Sequence, residues 1–181
     1  MLAATAIALL CGYNGTSEVI LGASVSRRGD ASLDGLMGCL TGVLPLRQAV
    51  RPDQSFADLI TSVRSTVLGA FAHRDIPYTL VARAAGRRYA PLCQTVIVVD
   101  DAPRMRLELP GLTAERLYVP SGTSKFDLCL TLVIDGAGYQ GFLDYASELY
   151  DPPTALRIVR DFQTLLVAAV RDPARMIQEI R

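Results

Sequence analysis

Ser124-Lys125-Phe126-Asp127-Leu128 runs straight into the alternating segment Cys129-Leu130-Thr131-Leu132-Val133-Ile134. A run of this kind is an apolar β-strand, whose successive side chains point to opposite faces, and it commits the chain to a sheet. Reading the strand from Phe126 puts a cation, Lys125, and an anion, Asp127, on one face at its mouth. Charges stand at the edge of so hydrophobic a strand when they are paired or kept at its solvent end, where they also limit edge pairing. Lys125 is the only lysine; the other 17 of the 18 basic residues are arginine.

The neighbouring patterns extend the sheet. Phe126 to Ile134 and Tyr139 to Ala146 read as paired strands joined by the hairpin-type turn Asp135-Gly136-Ala137-Gly138. Glu18 to Ser24 and Thr95 to Val99 are short apolar runs bounded by turn-rich segments, and they read as buried strands. Leu40 to Leu46 is a further extended segment, stopped by Pro45 and Arg47, with weaker pieces at Met105 to Leu109 and Leu112 to Val119.

Helical signals alternate with these strands. Met1 to Gly12 predicts a buried helix that ends before the turn Asn14-Gly15; its leader carries no Lys or Arg, and it is too short to span a bilayer. Between Ser55 and His73, residues Phe56, Leu59, Ile60, Val63, Val67, Leu68 and Phe71 recur at helical spacing, behind a capping-box-like Ser55 and Asp58. Asp75-Ile76-Pro77 breaks that helix, and a short one follows from Tyr78 to Ala85. Asp151-Pro152-Pro153 opens a long helix with Leu156, Val159, Phe162, Leu166 and Val170 as its predicted inner face. Helices mixed with strands in this irregular order predict an α/β (α+β) fold, a mixed sheet flanked by helices.

At 181 residues and 50% hydrophobic composition, the chain can bury one core, so a single domain over residues 1–181 is expected. Basic and acidic residues balance at 18 each, and the arginines form no stripe, which argues against nucleic acid and anionic membranes as partners. Cys11, Cys39, Cys93 and Cys129 are far apart, each beside apolar residues, and are read as four reduced core thiols of a cytoplasmic protein. With no CxxC and one histidine, no metal site is expected.

The catalytic inventory is short. His73 is the only histidine, and it falls at a helix C-terminus, where the dipole and Asp75 favour a capping role. No Gly-x-Ser-x-Gly elbow, Walker loop or dinucleotide fingerprint is present. Asp100-Asp101 reads as a solvated strand end.

From about Ala3 to Pro173, the chain resembles the C-terminal part of nonribosomal peptide synthetase condensation domains, which have the chloramphenicol acetyltransferase fold of two lobes facing across a tunnel. The stretch from Tyr13-Asn14-Gly15 through Glu18-Val19-Ile20-Leu21-Gly22 resembles one that ends in a family arginine, here Arg28. Gly38-Cys39-Leu40-Thr41-Gly42-Val43-Leu44-Pro45-Leu46-Arg47 resembles the family's Gly-x-Phe-Val-Asn-Thr-x-Pro-Leu-Arg block. His73-Arg74-Asp75-Ile76-Pro77-Tyr78 is similar to its His-x-Asp-x-Pro-Phe block, Pro91-Leu92-Cys93-Gln94 to its Pro-Leu-Phe-Gln block, and Lys125-Phe126-Asp127-Leu128 to its Lys-Phe-Asp-Leu strand. Gly141-Phe142-Leu143-Asp144-Tyr145 leading to Leu149-Tyr150-Asp151 resembles the closing strand and last helix.

Three departures accompany this order. The His-His-x-x-x-Asp-Gly motif, which carries the family's catalytic histidine in the N-terminal half, is absent. The Phe-Val-Asn-Thr block has Leu40, Gly42 and Val43 where the family has its aromatic, asparagine and threonine. An asparagine often found after the Pro-Leu-Phe-Gln strand is here Val98. The resemblance therefore implies a lobe without a catalytic residue of its own. It would work with a separate histidine-bearing lobe, or a second copy, to join substrates held on the phosphopantetheine of peptidyl or acyl carrier proteins, and no cofactor of its own is expected. Arg28 would brace the two lobes by pairing with the missing motif's aspartate. Gly42, Val43, Val98, Ser124, Lys125 and Asp127 would line the tunnel and its floor. Two other readings stay open: a non-catalytic carrier-binding or synthetase-capping module, and a truncated fragment that self-associates.

Overall fold

In the computed structural model of the chain, residues 1–87, 91–101, 109–112, 114, 119, 122–135 and 138–179 are described. Among these residues the elements run α1 (Leu2–Asn14), β1 (Glu18–Ser26), β2 (Thr41–Ala49), α2 (Phe56–Ala72), α3 (Tyr78–Ala84), β3 (Thr95–Asp101), β4 (Leu128–Asp135), β5 (Gly138–Tyr145) and α4 (Pro152–Arg171). The strands form one sheet in the order β2-β1-β3-β4-β5. β1 is antiparallel to β2 and parallel to β3; β3 is parallel to β4, and β4 antiparallel to β5. The expected mixed sheet flanked by helices is the observed architecture.

Strand alternation gives the sheet two unlike faces. Val19 and Leu21 of β1, Ile97 of β3 and Leu132 of β4 turn to one face, where they join Ile7 and Cys11 of α1, Phe56, Leu59 and Val63 of α2, and Phe162, Leu165 and Ala169 of α4. This is the core. On the other face, Gly22 brings β1 into close approach with its neighbours. A Cβ there would meet Val96 Cγ2 at 2.8 Å, Val43 Cγ1 at 3.0 Å and Cys93 Cβ at 3.1 Å.

Local chemistry sets the ends of the helices. Ser55 and Asp58 form a full capping box: Ser55 Oγ accepts from the Asp58 N–H, and the Asp58 carboxylate accepts from the Ser55 N–H. Asp151 Oδ1 caps α4 by accepting the Thr154 N–H at 2.8 Å, with Pro152 and Pro153 in the first turn. α1 runs to Asn14, past the expected stop at Gly12, because Gly15 takes the left-handed conformation (φ 62°) and its N–H closes on the Cys11 carbonyl. The C-terminal tail straps the start of α2: Phe56 and Ala57 donate to the carbonyls of Arg175 and Pro173, and the Ile177 N–H donates to Gln54 O.

Several expectations are corrected. Pro45 does not stop its strand, since β2 continues to Ala49 with Pro45 opposite Gly22. β2 is an edge strand, where a missing N–H leaves no ladder bond unmade. The inner face of α4 is rotated by about one residue. Ala155, Phe162, Leu165 and Ala169 are buried, whereas Leu156 and Val170 are exposed. The small alanines let the helix sit close, which an inspection for large apolar residues overlooks. Leu68 and Phe71 of α2 are also exposed. Cys39 is exposed and Cys129 half-buried, so only Cys11 and Cys93 are core thiols. Most of the two weak pieces at 105–109 and 112–119, and residues 136–137 of the predicted hairpin turn, lie outside the described residues.

Candidate functional site

The segment from Lys125 to Asp127 bends, and β4 begins only at Leu128, so these residues do not share a strand face as the alternation suggested. Ser124 Oγ donates to the Phe126 carbonyl and fixes that bend. The two charges act in different places. Lys125 contributes to lowering the pKa of Cys39, whereas Asp127 adds to the burial that raises that of Tyr150. The Lys125 bend leads into Leu128, which pairs with Thr95 of β3, itself opposite Leu21 in the first half of β1. Asp127 stays at the start of β4, where its carbonyl accepts the Ala146 N–H at 3.0 Å.

Arg28 stands just beyond the C-terminal end of β1. Its guanidinium donates from Nη1 to Leu33 O and from Nη2 to Gly38 O, the latter at 3.1 Å, and so braces the loop between β1 and β2. The Gly38 block is carried on that loop. Gly42 and Val43, adjacent in β2, turn to opposite faces: Val43 packs over Gly22, while Gly42 lies under the Arg27 side chain. Val98 is half-buried, paired with Thr131 of β4. The structure thus gathers Arg28, Cys39 and Thr41 at one end of the sheet, with the Lys125 ammonium acting electrostatically on Cys39. Val43 and Val98 lie along the face away from the core, and Gly42 and Asp127 point elsewhere.

Further side chains complete the arrangement. The Tyr78 hydroxyl accepts from the Leu92 and Cys93 N–H groups at 2.8 and 3.0 Å, joining the Asp75-Ile76-Pro77-Tyr78 block to the Pro91-Leu92-Cys93-Gln94 block. The only sequence signal was a phenol where the family pattern has phenylalanine. Arg27 and Arg74 were missed because their contacts are made between loops. Gly122 to Ser124 and Leu143 to Glu148 border an open hollow of about 600 Å³ beside the Lys125 bend. His73 is exposed at the C-cap of α2, its N–H closing on Ala70 and Phe71 carbonyls. Among the described residues, no three His, Cys, Asp or Glu side chains group as metal ligands, and no helix is long and apolar enough to cross a membrane.

The thiols differ in acidity for visible reasons. Hydrogen bonds from the Thr41 N–H and hydroxyl, with the Lys125 ammonium, pull Cys39 down. Burial pushes Cys93 up to about 11 against the Tyr78 hydroxyl, and burial also raises Cys129. Since the thiolate is the nucleophile, iodoacetamide at a pH of about 8 should alkylate Cys39 first and Cys129 slowly, leaving Cys93 untouched until the fold is lost. Peptide mass mapping against time reads the order; Cys93 labelled as fast as Cys39 in folded protein contradicts it.

A family described as "Condensation domain" matches residues 1–181. The chain is 34% identical over 186 residues to a probable non-canonical nonribosomal peptide synthetase, CymA, of Salinispora arenicola, covering 99% of this chain and 2% of that protein. It is also 34% identical over 173 residues to the phosphinothricin tripeptide synthetase PhsC of Streptomyces viridochromogenes, covering 92% of this chain and 16% of the relative. The chain therefore spans a small part of the relatives it matches. In fold it is similar to the first condensation domain of the calcium-dependent antibiotic synthetase, with a TM-score of 0.83 at 23% identity, covering 99% of this chain and 40% of that one. The X-domain from teicoplanin biosynthesis is also similar, with a TM-score of 0.81 at 24% identity over 99% and 43%.

Proposed function

The chain belongs to the condensation-domain family, and on that premise we propose that it is the C-terminal, chloramphenicol acetyltransferase-like lobe of a nonribosomal peptide synthetase condensation enzyme. In this reading residues 1–181 form one domain of a cytoplasmic enzyme. The lobe supports amide or ester formation between substrates carried on the phosphopantetheine arms of carrier proteins. A histidine-bearing lobe provides the proton-transfer group.

One observation carries the reading. Arg28 holds the loop that opens the Gly38 block, and Cys39 on that loop is made more acidic by hydrogen bonds from Thr41 and by the Lys125 ammonium, so residues distant in sequence act on one another there. A group that moves a proton must stand within hydrogen-bond reach of the reacting atom. His73, the one histidine, is exposed at the C-cap of α2. This lobe's contribution is consequently orientation: it fixes one wall on which two tethered substrates meet, the term that turns a bimolecular reaction into a unimolecular one.

The test uses carrier-bound donor and acceptor. The chain alone should give no product, and adding a histidine-bearing lobe should start turnover, with general acid–base catalysis contributing roughly 10²- to 10⁴-fold. Product formed by this chain alone, and lost in His73→Ala, overturns the division of labour. Carrier binding with no turnover in the presence of the second lobe would make the chain a carrier-binding module instead.

A further inference from the structure

The two edges of the sheet are built differently. β2, at one edge, carries Pro45, which has no N–H to offer a neighbour, and the ion pair of Arg47 with Glu18 at 2.8 Å. Prolines and charges keep an edge strand from pairing with another chain. β5, at the other edge, is not protected in this way. Gly138-Tyr139-Gln140-Gly141-Phe142-Leu143-Asp144-Tyr145 contains no proline, and its single charge, Asp144, stands next to its end. Gly138 to Gly141 are exposed and Phe142 to Tyr145 half-buried. Among the described residues no strand pairs with the outer side of β5.

The register fixes which backbone groups that edge offers. Ala146, one residue past β5, donates its N–H to Asp127 O at 3.0 Å and so continues the β4–β5 ladder, in which Leu128 faces Tyr145. Residues of an antiparallel strand turn their N–H and C=O groups alternately toward one neighbour and the other. Gly138, Gln140, Phe142 and Asp144 therefore bond toward β4, and Tyr139, Gly141, Leu143 and Tyr145 present their backbone groups outward. A second copy, related by a two-fold axis perpendicular to the sheet, satisfies these groups and keeps both cores on the same side. With Phe142 on the axis, Tyr139 meets Tyr145 of the second copy and Gly141 meets its Leu143, each in a hydrogen-bonded pair. Phe142 stands opposite itself in a non-hydrogen-bonded pair, the closer of the two kinds. Gln140 falls opposite Asp144, an amide donor against a carboxylate. A register centred on Asp144 would instead set like charges against each other.

We propose that the outer edge of β5 is an interface for a second copy of this chain, joined strand to strand in antiparallel register about Phe142, so that two five-stranded sheets become one. Strand addition takes its affinity from main-chain hydrogen bonds and its specificity from the side chains that alternate along the strand. β5 lies at the opposite edge of the sheet from β2, so the pairing leaves the Arg28 loop clear and does not depend on the condensation reading.

Sedimentation equilibrium of the wild-type chain should show a monomer–dimer equilibrium. Substitutions at the exposed Gln140 should move it in opposite directions. Gln140→Lys sets a cation opposite Asp144 and should tighten the dimer about threefold or more, because the two-fold axis counts each cross-strand pair twice. Gln140→Asp sets like charges opposite each other and should weaken the dimer by a similar factor. Added salt should shrink both effects. Tyr139→Pro removes an outward N–H, which an edge strand tolerates, and should weaken the dimer about tenfold or more while the circular dichroism of the monomer stays unchanged. The Gln140 pair keeps the test decisive should the proline variant fail to fold. A chain that sediments as a monomer at every concentration refutes the interface. So does a dimer whose dissociation constant is the same in every variant, or one weakened equally by both Gln140 substitutions.

Discussion

Arg28→Ala should bind a histidine-bearing lobe roughly 30- to 5,000-fold more weakly than the wild type, the equivalent of the roughly 2–5 kcal/mol lost when one member of a desolvated ion pair is removed. Its circular dichroism should be unchanged, because the side chain lies on the surface and in a loop. Two of its five N–H donors hold the Leu33 and Gly38 carbonyls, and the rest remain to meet a partner carboxylate. The residue would thus set the loop and engage the partner at once. Arg28→Lys keeps the charge but cannot span two carbonyls and a carboxylate, so it should recover only part of the loss. Sedimentation of the mixed lobes measures this directly. Wild-type pairing by the alanine variant would confine Arg28 to holding its own loop.

The largest loss of stability is expected from Phe56→Ala. Phe56 is 0% exposed, and its backbone N–H anchors the tail through Arg175 O at 3.1 Å. Removing a buried aromatic costs about 3–5 kcal/mol, out of the roughly 5–15 kcal/mol that holds a domain folded. The urea midpoint should fall accordingly, or the variant should be unfolded in buffer. Leu68→Ala on the same helix, at a position 57% exposed, should change stability by no more than about 0.5 kcal/mol. Equal midpoints for the two variants would mean that the α2 face is wrongly assigned.

How much of this was legible in the sequence depended on how local the cause was. The capping box at Ser55 and Asp58, the Asp151-Pro152-Pro153 helix start and the alternation after Leu128 are each written within a few residues, and all are observed. The face of α4 was misjudged because Ala155 and Ala169 decide the contact by being small, a property that hydrophobic spacing does not rank. Lys125 and Asp127 were placed on a shared strand face because period-2 reasoning assumes that the strand has already begun. The arrangement of Arg27 over Gly42 and Arg74 over Gly29 depends on two loops whose meeting is set by the sheet. No local pattern encodes that meeting. Order of motifs along the chain, by contrast, carried the family.

The pairing of β1 with β3 bears on how the chain comes off the ribosome. β1 and β2 can close as a hairpin soon after Ala49 is made, but the other edge of β1 is completed only by Thr95–Ile97. The intervening stretch takes roughly 2–10 s at ordinary elongation rates. During that interval Leu21 and Ala23 lie in an apolar strand with an open edge, able to pair with another nascent chain. Slower elongation between Val50 and Gln94 lengthens that exposure, so synonymous codon changes there should alter the soluble yield without changing the protein made.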